Sequence, residues 1–201
     1  MKRYVITISR EFGCNAREIG RQLASSLGVK FYDRELVDLT AQKIGIDSNY
    51  LSDSDEHDKV KDGFYIEFGY GSTTAFYSEK AIEAQAWVIR EIANRESCVM
   101  LGRCSDYFLS EFDNIINVFV YAPLEFRIKH ISDSYDLSLI NAKKMIKRID
   151  KQRHNYYKYV TGKSRGDRNG KNLLVDAEMF GIEGTVDIIN YALKQRLNDL
   201  S

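Results

Sequence analysis

The sequence predicts an α/β fold in which a central parallel sheet of about five strands is covered by helices on both faces. Three observations lead there. Short, almost continuously apolar runs, at residues 4–8, Cys98–Leu101 and Ile115–Tyr121, have the length and character of strands buried on both faces. Longer segments with apolar residues at helical spacing separate them, so strands alternate with helices and parallel βαβ crossovers follow. The 201 residues suffice for one substantial core and fall short of two, so the chain reads as one domain, 1–201.

Residues 4–8, Tyr-Val-Ile-Thr-Ile, are expected to form the central strand. After a turn over 9–14, the small or apolar residues Ala16, Ile19, Gly20, Leu23, Ala24 and Leu27 recur at helical spacing, and Gly28 marks the stop. Gly20 and Ala24 would let this helix lie close to the sheet. Residues 30–32 read as a second strand, and a helix over 34–44 follows with Leu36, Leu39 and Ile44 inward. From 47 to 77 the pattern dissolves into an acidic stretch, 53–62, and a stretch rich in Gly, Tyr and Phe, 63–77. A connection of that length is either a functional or mobile insertion or a solvated loop with aromatic anchors. A helix over 78–94 leads into the third strand, Cys98–Leu101, which stops at Gly102-Arg103. The fourth, Ile115–Tyr121, ends at Ala122-Pro123, and the proline suits the first turn of the next helix, where its missing N–H would be unpaired anyway. Helices over 124–134 and 138–159, a strand at 172–176 and a helix over 183–197 complete the reading.

The 29 basic and 29 acidic residues cancel, which removes the broad positive field of a nucleic-acid-binding protein and leaves nucleic acid an unexpected partner. No apolar run reaches the length of a bilayer span, so no membrane location is expected. The cysteines, Cys14, Cys98 and Cys104, are odd in number and lack CxxC spacing, and no basic-then-apolar leader precedes the first strand. These features point to a reduced, cytoplasmic compartment. His57, His130 and His154 are scattered without metal-ligand spacing, no G-x-S-x-G elbow is present, and no metal ligand is assigned.

Ligands of parallel sheets bind beyond the carboxyl ends of the strands, so the strand ends carry the candidates. The first loop runs from a buried strand to a helix N-terminus, where unpaired N–H groups and the helix dipole suit phosphate. Its candidate phosphate ligands are Arg10, Gly13, Cys14, Asn15, Ala16, Arg17 and Glu18. The GxxxxGK[ST] pattern itself is absent, and Gly13 alone remains of its glycines. Cys14 is a plain loop residue or, at a helix N-terminus, a thiol of lowered pKa. Asp33 ends the second strand beside Arg34 and is at least a suitable N-cap. Arg103 ends the third strand, as a substrate contact or as a surface residue pairing with Asp106. Arg127, Arg148 and Arg153 lie on the two helices after Pro123. Met145, Ile149, Arg153 and Tyr157 stand at successive i+4 positions, so Arg153 projects from a largely apolar row and requires an anionic partner. Asp150 and a substrate phosphate are the alternatives.

The segment ITISREFGCNAREIGRQLASSLGVKFYDRELV resembles the start of the cytidylate kinase-like family of P-loop kinases, and VMLGRCSDYFL, VFVYAPLEFRIKHI and IDKQRHNYYKYVTGK match further along. The resemblance implies a P-loop-kinase-like three-layer sandwich with an acceptor-side insertion over 47–77 and a lid-like helical region over 124–168. It implies transfer of a phosphoryl group from ATP, with Mg2+ brought in by the nucleotide, to a small acceptor such as the nucleoside monophosphate CMP. It also implies catalytic roles for Arg17, Asp33, Arg127, Arg148 and Arg153, and acceptor contacts from Asp33, Arg34, Arg103 and Asp106. The chain departs from the family where Asn15 and Ala16 replace a glycine pair, which would strain a tight phosphate loop. Arg17 stands in charge for the missing lysine, Glu18 occupies the place of the magnesium-binding hydroxyl, and His130 replaces an arginine that many relatives carry. A nucleotide-binding sensor or pseudo-kinase is the alternative those departures leave open.

Overall fold

The computed structural model describes residues 3–45 and 78–198. The elements run β1 (Val5–Arg10), α1 (Ala16–Leu27), β2 (Lys30–Tyr32), α2 (Glu35–Ile44), α3 (Glu79–Arg95), β3 (Cys98–Leu101), α4 (Ser105–Phe108), β4 (Ile115–Tyr121), α5 (Leu124–Tyr135), α6 (Leu139–Thr161), β5 (Leu173–Asp176) and α7 (Ala177–Asn198). The insertion expected over 47–77 lies outside the described residues.

All strand pairs are parallel and the order is β2-β3-β1-β4-β5. β1 is central, as its apolar run predicts: Val5 pairs Cys98 of β3 and Ile115 of β4, and Arg10 pairs Val120. The two-residue period of a strand then divides the core. Ile6, Ile8, Val99 and Leu101 face one apolar cluster with Ile19 and Leu23 of α1 and Ile189 and Leu193 of α7. Val5, Cys98 and Met100 face another, with Leu36 of α2 and Ile89 of α3. Helices therefore cover both faces, and three layers result. A third cluster joins Phe12 to Ile131 of α5 and to Met145 and Ile149 of α6, seating these helices against the first loop.

Gly20 acts as its position implies, since a Cβ there would collide with the Phe31 ring of β2. Most boundaries fall within a few residues of expectation. Pro123 differs: it is the N-cap of α5, with ψ 144, and precedes the first turn. The single turn α4 had no signal in the sequence, being too short for a period to show. α7 begins earlier than expected and is broken at Gly181 (φ 64, ψ −174), so the apolar period starts only beyond the break. Among the described residues no helix is long and apolar enough to cross a membrane.

Candidate functional site

The loop between β1 and α1 turns sharply at Gly13 (φ 87) and Asn15 (φ 60). Asn15 is the N-cap of α1, and its carbonyl accepts the Ile19 N–H at 3.0 Å. Ala16 is already helical, so the strain expected at two replaced glycines falls on Asn15 alone. Asn is among the side chains that tolerate this conformation best.

Three side chains clamp the loop from behind. The Asp150 carboxylate accepts the Phe12 N–H at 3.0 Å, Arg127 Nη1 at 2.8 Å and Arg165 Nη2 at 2.9 Å. Arg127 also donates to the carbonyls of Phe12 (3.2 Å) and Ala122 (3.0 Å), and Arg165 donates to that of Arg10 (2.5 Å). Burial pulls the Arg165 pKa downward, and the Asp150 carboxylate opposes it. Asp150 is thus committed to Arg127 and Arg165, not to Arg153 as the i−3 spacing allows. Arg127 is buried as a strut and does not line the cavity described below, and Arg148 lies on the exposed side of α6. The structure therefore separates these two from Arg153.

A cavity opens beyond the carboxyl ends of β1, β2 and β3. Arg10, Arg17, Arg34, Arg103, Arg153 and Arg165 reach its wall, with Asp33 as the one carboxylate among the described residues. Val37, Ile149, Tyr156 and Tyr157 supply an apolar side. Arg17 Nε donates to Asp33 Oδ2 at 2.7 Å, joining the first turn of α1 to the end of β2. Asp33 is not the N-cap of α2; that position is Arg34, one residue later. The Arg153 guanidinium stands 5.4 Å from the Phe12 ring centre, a cation–π contact that keeps it beside the first loop.

Arg103 reaches the wall from an unusual turn. Gly102, Arg103 and Cys104 all have positive φ, at 74, 60 and 56. Left-handed backbone costs about 1–2 kcal/mol for each non-glycine residue, so the surroundings must hold Arg103 and Cys104 there. A Cβ at Gly102 would collide with Arg10 Nη1, which ties the ends of β1 and β3 together. Asp106 does not pair with Arg103. It is buried in α4, accepts from the Tyr157 hydroxyl at 3.0 Å and from Lys171 Nζ, and does not line the cavity. Burial, reinforced by Asp106, pushes the Tyr157 pKa up.

On its other side the loop borders a shallower hollow, where Gly13, Asn15, Ala16 and Glu18 meet His130, Tyr135 and Ile182. Glu18 Oε1 accepts from Gln22 Nε2 at 3.1 Å. The His130 ring stacks on Phe126, and burial lowers its pKa. Cys14 is buried and its thiol donates to the carbonyls of Glu11 (3.1 Å) and Val120 (3.4 Å). Burial pushes its pKa up to about 12, against the smaller lowering from the Ala16 backbone and the nearby arginines. Of the two readings of Cys14, the lowered-pKa thiol is therefore disfavoured and the plain loop residue is favoured.

The sequence reading passed over Arg165, Gln152 and Tyr156 on the wall. Arg165 follows Gly162, which ends α6, so it belongs to no period and only its charge marks it. Among the described residues no three His, Cys, Asp or Glu side chains cluster to hold a metal ion.

The model of the cytidylate kinase-like family matches residues 5–178. Among solved structures, the chain is similar to an uncharacterized protein from Eubacterium ventriosum ATCC 27560, at 21% identity and TM-score 0.74 over 96% of this chain and 99% of that one. It is similar to shikimate kinase from Acinetobacter baumannii in complex with shikimate, at 16% identity and TM-score 0.55 over 96% and 94%. It is also similar to the YorR protein of Bacillus subtilis in complex with phosphorylated GDP, at 10% identity and TM-score 0.53 over 96% and 98%. These likenesses show a P-loop-kinase-like fold. No curated protein matches the chain.

Proposed function

The chain belongs to the cytidylate kinase-like family, and from that premise we propose that it transfers a phosphoryl group from ATP to a small acceptor, with CMP as that acceptor. One observation carries this reading: among the described residues, six guanidiniums and the Asp33 carboxylate meet on one cavity at the ends of three parallel strands. The planar forks of guanidinium groups suit phosphate oxygens, and several on one wall can share a phosphate monoester. The apolar side made by Val37, Ile149, Tyr156 and Tyr157 suits a flat ring attached to that phosphate.

The triphosphate takes the first loop, where the N–H groups from Gly13 to Arg17 stand at the α1 N-terminus. Arg153 and Arg10 are the wall arginines beside that loop, placed to meet the negative charge that the transferring phosphoryl group gathers. Asp33 orients the acceptor hydroxyl or phosphate through its fixed pairing with Arg17. Magnesium, when bound with ATP, neutralises phosphate charge. The Asp33 carboxylate and the Ser9 hydroxyl on the cavity wall would contribute oxygen ligands, and the nucleotide phosphates would hold it for the rest.

The second reading is a nucleotide sensor without efficient turnover. Its specific support is that Arg17 Nε is bound to Asp33 and Glu18 is bound to a surface glutamine, so neither reproduces a P-loop lysine and hydroxyl. ATP consumption with CMP, other nucleoside monophosphates and small hydroxyl acceptors decides between them. Turnover with CMP above that with every other acceptor supports the kinase. Tight binding of ATP and CMP without transfer supports the sensor, and failure of both nucleotides to bind overturns both.

A further inference from the structure

Gln85 lies in α3 with its side chain fully buried. Its Nε2 donates twice, to the Arg103 carbonyl at 3.0 Å and to the Tyr156 hydroxyl at 3.0 Å. A carbonyl only accepts, so the amide nitrogen must be the atom facing Arg103. Gln85 Oε1 is left buried with no hydrogen-bond partner. Methionine would fill the same space without that orphan oxygen, so packing alone gives no reason for a glutamine here.

The Arg103 turn gives one. Its three successive left-handed residues persist only if neighbours hold them. Gly102 is fixed by its N–H donating to the Ile8 carbonyl (2.9 Å) and by its carbonyl accepting from the Ser105 hydroxyl (2.8 Å). Gln85 fixes the next peptide, that of Arg103 itself. Its second N–H reaches Tyr156 on α6, one turn beyond Gln152 and three residues beyond Arg153, all three on the cavity wall. One buried amide therefore joins the strand-end turn to the helix across the cavity.

We propose that Gln85 is a positioning residue for the acceptor's anion site, holding the Arg103 turn and the α6 wall in one geometry for a phosphate monoester. Gln85 is not on the wall itself and acts through Arg103. The proposal rests on the reading of this cavity as the acceptor site.

The test is a double-mutant cycle. CMP and inorganic phosphate are titrated calorimetrically into the wild type, Gln85→Met, Arg103→Ala and the double variant, with urea unfolding of each in parallel. Gln85→Met is expected to weaken CMP about tenfold or more, and the double variant to bind no more weakly than Arg103→Ala alone. A merely structural glutamine would lower the unfolding midpoint and leave the effects on binding additive. Should Gln85→Met fail to fold, Gln85→Glu keeps the shape while setting an acceptor against the Arg103 carbonyl, and the same coupling is expected. Unchanged CMP affinity, or additive effects, overturns the role of Gln85 and leaves the anion site standing. A wild type that binds neither CMP nor phosphate overturns the anion site and this proposal with it.

Discussion

The Arg10 guanidinium lies against the Cα of Gly102, in the space a Cβ would occupy, so the side chain ending β1 is seated on the backbone ending β3. Two neighbouring strands thereby deliver their arginines to one wall with a fixed spacing.

Gly102→Ala separates binding from folding at this contact. The obstructed group is the end of a flexible side chain, so the fold loses chiefly the left-handed preference, about 1–2 kcal/mol. Arg10 must leave its seat, and loss of one charged contact to phosphate weakens CMP roughly tenfold to a hundredfold. Calorimetry beside urea unfolding checks both numbers. Unaltered affinity would show that Arg10 does not address the acceptor.

Asp150→Ala and Arg153→Ala are expected to fail in opposite ways. Removing Asp150 leaves Arg127 and Arg165 without their shared, partly buried carboxylate, and although Glu11 still faces Arg127 at 3.3 Å the loss approaches the roughly 3–5 kcal/mol of a fully buried pair. Arg153→Ala leaves that clamp whole, so it costs less stability and lowers single-turnover rate by about 10³ or more if Arg153 meets the transferring phosphoryl group. Equal loss of stability in both variants with the rate intact in Arg153→Ala would remove it from the mechanism.

Asn15→Gly tests the loop. Relief of the left-handed strain, about 1–2 kcal/mol, is partly offset by the freer unfolded chain, about 0.4–1 kcal/mol, so a small net gain in stability is expected. ATP affinity measured with magnesium should rise. Adding Ala16→Gly should reverse part of the stability gain, because residue 16 is helical and glycine costs about 1 kcal/mol there.

The thiols set an alkaline limit. Burial holds Cys14 and Cys98 at about 12 in the fold, and raises Cys104 as well. Below the unfolded thiol pKa, about 8.5, both states keep these protons and the thiols have no influence on stability with pH. Above it the unfolded chain releases protons that the fold retains, so stability falls as pH rises from about 9 towards 12. Urea midpoints are expected to decline from pH 8 to 9.5 and again from 9.5 to 10.5, and thiol reagents at pH 8 to react only after unfolding.

The architecture was legible because the apolar runs were unambiguous: Val5 to Ile8 and Cys98 to Leu101 read as buried strands and pair in register. The positions of Arg10, Arg17, Asp33 and Arg103 followed, since a strand end in a parallel sheet fixes which edge a residue reaches. Partnerships did not follow. Asp150 stands at the right spacing for Arg153, yet takes Arg127 and Arg165 from other segments, and Asp106 takes Lys171 in place of Arg103. Such carboxylates choose partners by tertiary approach, which local spacing cannot encode. Gln85 shows the same limit, being a polar residue within an apolar helical face whose purpose lies in a turn 18 residues away.

The clamp on the first loop spans the chain, with Arg165 bonded to the Arg10 carbonyl 155 residues earlier. During synthesis β1 and the loop emerge first, yet the arginine that secures them follows only after α6. Until then the loop lacks the guanidinium that holds its backbone from behind, so its final shape waits on a segment made only after α6.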